Sequence, residues 1–162
     1  MKVFITGGAG FVGSHLADRL LARGDHVMVI DNFETGRRDN LVAHENLQLI
    51  EETIANGQRV HQLMNDFKPD LVIHAAASYK DPDNWEEDAY TNTVGTVHVI
   101  RAAQKSGCKN IIYFQTALCY GVNPTQQPIA LDHSINSANS SYAISKTAGE
   151  QYVELSGLNY VT

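Results

Sequence analysis

At 162 residues, with 43% hydrophobic and 19% charged positions, the chain has the size and composition of one ordinary globular domain with its own core. Its net charge of −6 argues against a nucleic-acid partner, because a phosphate backbone calls for a basic surface. No apolar run approaches the roughly 20 residues of a membrane span, so no membrane association is expected.

Lys2 to Thr6 is a short β-branched and aromatic run that stops at glycines, the pattern of a buried strand. The chain enters it without a charged leader or an apolar signal core, which makes a cytoplasmic location the default. Phe11 to Arg23 carries Leu16, Leu20 and Leu21 at helical spacing and ends at Gly24. His26 to Ile30 and Leu47 to Ile50 read as the second and third strands. Val60 to Phe67 is helical, stopped by Pro69, and Asp70 to His74 is a fourth strand. A long amphipathic helix is predicted from about Glu87 to Ser106, closed by Gly107, with a fifth strand over Asn110 to Gln115. Gly121 to Asn139, with Pro124 and Pro128, reads as a loop, and Ser140 to Ser156 as a helix stopped by Gly157. Leu158 to Thr162 looks like a sixth strand that has only begun. Alternating strands and helices predict an α/β fold, a parallel sheet with helices on both faces. Cys108 and Cys119 form neither a disulfide framework nor a metal-ligand pattern and read as buried thiols.

The first strand runs into Gly7-Gly8-Ala9-Gly10-Phe11-Val12-Gly13, and a helix follows. A phosphate-binding turn needs glycines so that backbone can approach a pyrophosphate, and a helix N-terminus whose free N–H groups face the anion. Asp31, at the end of the second strand, is placed to accept bonds from ribose hydroxyls and to repel a 2′-phosphate, which favours NAD over NADP. Arg37 and Arg38 pull the other way, since guanidinium groups accommodate phosphate.

Tyr142 and Lys146 lie four apart on a predicted helix and so share one face. An ammonium beside a phenol stabilises the phenolate and makes a general base of it near neutral pH. Thr116 stands just past the fifth strand, at the sheet edge where doubly wound folds place ligands; its hydroxyl suits a reacting oxygen, or simply caps local backbone.

Together, TGGAGFVGSHL, DNFETG, the HAAA of His74 to Ala77, the NTVGT of Asn92 to Thr96, FQTALCYG and SSYAISK occur in the order and spacing of extended short-chain dehydrogenase/reductases. The chain resembles that family over essentially its whole length, and most of all its nucleotide-sugar 4-epimerases of the UDP-glucose type and their relatives in bacterial surface-polysaccharide and lipopolysaccharide pathways. The resemblance implies a Rossmann-type sheet of order 3-2-1-4-5 over residues 1–162, with NAD as cofactor and a UDP-sugar as substrate. It implies Thr116, Tyr142 and Lys146 as the catalytic groups. Gly7, Gly10, Phe11, Val12, Gly13, Asp31 and Asn32 match the dinucleotide contacts, Ala75 and Ala76 the adenosine side, and Lys80, Tyr142 and Lys146 the nicotinamide ribose region. Asn92 matches an asparagine that supports the active site. Where the family commonly has Gly-Asp-Ile against adenine, this chain has Glu52-Thr53-Ile54, so Thr53 and Ile54 take those places without the carboxylate. The helices near 87–106 and 140–156 match those of a homodimer interface. Relatives continue into a substrate-binding region, so a fragment is expected. A nucleotide-sugar dehydratase or reductase, and a non-catalytic NAD-binding module, are the alternatives.

Overall fold

The computed structural model describes residues 1–162. Six parallel strands form one sheet: β1 (Lys2–Thr6), β2 (His26–Asp31), β3 (Leu47–Glu51), β4 (Leu71–His74), β5 (Asn110–Tyr113) and β6 (Asn159–Val161), in the order β3-β2-β1-β4-β5-β6. This is the order expected, and the chain's last residues do pair as a strand, with Ile111 opposite Tyr160. The helices are α1 (Phe11–Ala22), α2 (Gly57–Phe67), α3 (Trp85–Asp88), α4 (Thr96–Ser106) and α5 (Ser141–Leu155). None is long and apolar enough to cross a membrane.

Strand alternation sorts the core into two layers. Phe4, Met28, Ile30, Val72 and Ile111 face one side, packed with Val60, Leu63, Met64 and Phe67 of α2 and with Val99, Ile100 and Ala103 of α4. Val3, Ile5, Val27, Val29 and Ile73 face the other, against Ala17, Leu20 and Leu21 of α1. The i, i+3, i+4, i+7 spacing of the α2 residues is why that segment is a helix. It starts three residues earlier than its apolar stripe, because the Asn56 side chain accepts from the Arg59 N–H at 3.3 Å and caps the first turn.

The long helix predicted from Glu87 to Ser106 is interrupted. It begins at Trp85, passes into a π-helical segment over Ala89–Gly95 and returns to α-helix at Thr96. The wider register goes with two bonded pairs. The Thr96 hydroxyl donates to the Asn92 carbonyl at 2.6 Å, and the Asn92 side chain is drawn off the helix to bond Ser78. Apolar periodicity, identical to within a residue in the two kinds of helix, does not distinguish them.

α5 lies hard against this segment. A Cβ at Gly149 would stand 2.6 Å from the Tyr113 hydroxyl and 2.8 Å from the Asn92 carbonyl oxygen. Gly149→Ala should therefore lower the unfolding free energy by about 1–3 kcal/mol in urea denaturation, despite alanine's better helix propensity. A neutral or stabilising result would mean that α5 and the π segment are not in close contact.

Candidate active site

The strand order reverses between β1 and β4, and an open cleft of about 260 Å³ lies at the carboxyl ends of these strands. On one side it is lined by Gly7, Gly10, Phe11, Val12 and Gly13 of the first turn; Asp31, Asn32, Thr53 and Ile54 follow along the ends of β2 and β3. Ala75, Ala76, Lys80 and Tyr142 complete the predicted residues that reach it. Ser78, Tyr79, Glu87 and Thr91 also line it, and sequence reading missed them. The last two had a usable signal: they lie four apart on a helix, and the Thr91 hydroxyl donates to the Glu87 carboxylate at 2.6 Å.

The glycine turn is built to leave backbone bare. Gly7 has φ of +67°, and a Cβ there would strike the Ala76 backbone at 2.7 Å. A Cβ at Gly13 would run into the Gly7 carbonyl oxygen. At Gly10 the nearest atom to an added Cβ is the Gly7 oxygen at 3.3 Å, so the chain leaves room there on the cleft side. Gly10 is the N-cap of α1 and supplies no side-chain cap, and the first turn of the helix has no acidic residue. Unpartnered N–H groups at a helix N-terminus, approachable through glycine, suit a pyrophosphate.

Asp31 is almost fully buried. Its carboxylate accepts from the Ala9 N–H at 2.9 Å and the Phe33 N–H at 2.8 Å, so it ties the glycine turn to the end of β2. Each oxygen keeps a lone pair for a ribose hydroxyl. Arg38 is ion-paired to Glu51, stacks 4.2 Å from the Phe33 ring centroid and is not among the residues lining the cleft.

Three predicted residues stand off the cleft lining. Asn92, buried, accepts from the Ser78 N–H at 2.8 Å and donates to the Ser78 carbonyl at 2.9 Å and the Ser145 hydroxyl at 3.0 Å. It clamps the cleft wall to α5. Lys146, also buried, holds its ammonium 4.0 Å from the Tyr113 ring centroid. Thr116 follows β5, accepts from the Leu118 N–H, and sets its hydroxyl beside the Tyr142 phenol.

Burial dominates the electrostatics. It brings Lys146 from its ordinary 10.5 down to about 7, with the nearby Glu150 carboxylate pulling it back upward. It raises Tyr142, against which the Thr116 hydroxyl works in the opposite direction. This upward displacement is the reverse of that expected for a phenol beside an ammonium, because Lys146 is turned under the Tyr113 ring. Asp88, a residue with no motif to announce it, has both carboxylate oxygens buried without a proper hydrogen bond. Desolvation raises its pKa, with the Ser141 and Ser78 hydroxyls pulling it back.

Residues 3–162 match the profile of the NAD dependent epimerase/dehydratase family. The chain is similar to the Bordetella bronchiseptica enzyme WbmH, solved in complex with NAD+, at 58% identity and a TM-score of 0.95, covering 99% of this chain and 54% of that one. It resembles WbmG of the same organism, solved with NAD and UDP, at 44% identity and a TM-score of 0.93, over 98% and 50% of the two chains. It is also 34% identical over 161 residues to the UDP-glucose 4-epimerase of Mycolicibacterium smegmatis, covering 96% of this chain. The chain spans about half the length of each: 54%, 50% and 51%.

The buried lysine gives the site a pH signature. Unfolded, Lys146 titrates near 10.5, and folded near 7, so between those values the unfolded chain holds the extra proton. Stability then rises with pH across that window, and the burial penalty is fully present below it. Cys108, Cys119 and Tyr142, whose pKa values are raised, oppose this in the alkaline range. The comparison is therefore with Lys146→Met. Wild type should gain stability relative to the variant by up to about 1.4 kcal/mol per pH unit between pH 7 and 9, measured by denaturation at each pH. A flat difference would place the ammonium in water.

Proposed function

The chain belongs to the NAD dependent epimerase/dehydratase family, and on that premise we propose that it acts as an NAD-dependent nucleotide-sugar epimerase. Residues 1–162 are its dinucleotide-binding domain. The observation that carries the reading is the meeting of Thr116 and Tyr142, with Lys146 one turn behind, at the edge of a cleft whose other wall is a bare-backbone phosphate turn. Complexes of WbmH and WbmG with NAD support the cofactor, and the UDP bound to WbmG supports a UDP-sugar as substrate. Asp31 beside the ribose and an Arg38 already paired with Glu51 favour NAD over NADP.

In this reading Gly7, Gly10 and Gly13 admit the pyrophosphate to the α1 N-terminus, with Phe11 and Val12 in the turn. Asn32, Thr53, Ile54, Ala75 and Ala76 border the adenosine, and Lys80 the nicotinamide ribose. When bound, NAD supplies the acceptor, and later the donor, of the hydride on the sugar carbon. Tyr142, as phenolate, takes the proton from the hydroxyl of that carbon, C4 in our reading, while Thr116 donates a hydrogen bond to the same oxygen. The sugar is then a ketone. Reduction from its opposite face, with the proton given back by Tyr142, inverts the centre. Lys146, its ammonium turned under the Tyr113 ring, is the cation one helical turn from the phenolate and binds ribose hydroxyls. Asn92 holds Ser78 and Ser145 in place behind it. Thr116 is followed by Ala117, Leu118 and Cys119, without the acid/base pair that elimination of water calls for, which favours epimerisation over dehydration.

A homodimer through α5 and the π segment fits the outward stripe of Ile144, Tyr152 and Leu155, continued by Tyr90 and Val94, all exposed.

Titration of the purified chain with NAD+ by calorimetry tests the cofactor site. Gly10→Ala should leave thermal stability within about 1 kcal/mol of wild type yet weaken NAD+ binding about tenfold or more. Equal affinity in the two proteins would reject the pyrophosphate turn. In a full-length relative, the counterpart of Tyr142→Phe should keep NAD+ affinity while interconversion of UDP-glucose and UDP-galactose falls about 100-fold or more. Undiminished turnover would remove Tyr142 from the mechanism.

A further inference from the structure

Glu150 lies on α5 one turn beyond Lys146 and two beyond Tyr142, on the same face of the helix. Its carboxylate accepts from the Gln115 Nε2 at 2.6 Å. The other end of that amide, Gln115 Oε1, accepts the Thr116 N–H at 2.8 Å. Thr116 lies beyond the last residue of β5 and has no strand pairing to hold it; its amide is satisfied by this side chain. A primary amide has a donor end and an acceptor end, so a carboxylate fixed at one end dictates what the other presents to Thr116.

The same carboxylate reaches Lys146 by charge. Around that ammonium stand the neutral His74 from β4, the Tyr113 ring from β5 at 4.0 Å, and Glu150 from its own helix. Glu150 is the only carboxylate of this group. Gln115 and Cys119 are its neighbours from the opposite side.

We propose that Glu150 is a positioning residue for the reaction: through the Gln115 amide it holds Thr116 in place, and from the next turn of the same helix it sets a negative charge toward the Lys146 ammonium. The inference rests on the reading of Thr116, Tyr142 and Lys146 as the catalytic groups. One side chain thereby serves two of them by separable means, a hydrogen bond for one and a field for the other.

Two substitutions separate the means. Glu150→Gln keeps an oxygen to accept from Gln115 but removes the charge, whereas Glu150→Ala removes both. On the isotopically labelled chain without added cofactor, NMR follows the Lys146 side-chain titration and the hydrogen exchange of the Thr116 amide. In Glu150→Gln the Lys146 midpoint should fall by about half a pH unit or more, with Thr116 protection retained. In Glu150→Ala the midpoint should fall as well, and Thr116 exchange should quicken about tenfold. Gln115→Met, which leaves the charge in place, should quicken Thr116 exchange without lowering the Lys146 midpoint, and it serves if the alanine variant fails to fold. An unmoved Lys146 midpoint in Glu150→Gln, or unchanged Thr116 protection in Gln115→Met, overturns the proposal. Neither readout involves NAD, so failure of the cofactor reading would appear separately, in the calorimetric titration.

Discussion

A buried imidazole joins the two halves of the site. His74, fully enclosed at the end of β4, lies 2.6 Å from the Thr6 hydroxyl and 2.8 Å from that of Thr96. The donors in this chain can be assigned. Thr96 gives its proton to the Asn92 carbonyl, so toward His74 it accepts, and the imidazole carries its proton on Nε2. Nδ1 then accepts from Thr6, whose oxygen receives the Ala76 N–H at 3.2 Å. A one-way sequence of hydrogen bonds thus runs from a backbone amide of the cleft, through the sheet, to a carbonyl of the π segment. An imidazolium would have a second donor facing Thr6 and would break it. Burial, with Lys146 nearby, holds His74 down to about 3 and keeps it neutral.

The wall that carries Tyr142 and Lys146 is built on the same pattern. Within the π segment the Asn92 side chain bonds Ser78, and its remaining N–H reaches Ser145, whose own hydroxyl donates to the Tyr142 carbonyl at 3.0 Å. Thr93 adds a bond to the Ser145 carbonyl at 3.1 Å, and the Tyr113 hydroxyl one to the Lys146 carbonyl at 2.8 Å. The backbone around Tyr142 and Lys146 is thus held from the sheet and from the π segment. Desolvation is the common cost of this arrangement, and it displaces lysine downward and tyrosine upward together.

Much of this was legible in the sequence, and the boundary of legibility is physical. The sheet followed from short apolar, β-branched runs alternating with helices, and the glycine turn from its place between strand and helix, because both depend on residues adjacent in the chain. The Tyr142–Lys146 pair was likewise visible through helical spacing. What escaped depends on distant partners. No local pattern distinguishes the π segment from α-helix, since the Asn92 bond that goes with it reaches a residue 14 positions away. Gln115 and Glu150, 35 apart, carry no motif. The direction of the Tyr142 shift also failed, for spacing told which side chains share a face and not that Lys146 would bend under Tyr113. Asp88 is of the same kind: an acid in an acidic stretch reads as surface until packing encloses it.

Gly7, Gly10 and Gly13, three of the four glycines of the turn and equivalent as letters, separate into two physical kinds. Gly7 and Gly13 are required by the chain itself, because a side chain at either meets backbone atoms that cannot yield without moving β4 or the turn. Their presence is evidence of fold. Gly10 meets only one carbonyl oxygen, at a distance a small adjustment relieves, and its Cα faces the cleft. Serine, threonine, asparagine or aspartate at this N-cap would satisfy first N–H groups of α1 and stabilise the helix by a few tenths of a kcal/mol over glycine. A chain that forgoes this cap leaves those donors to something outside itself. An anion is what they can hold, so Gly10, the glycine the fold needs least, is the one that speaks most directly for a ligand.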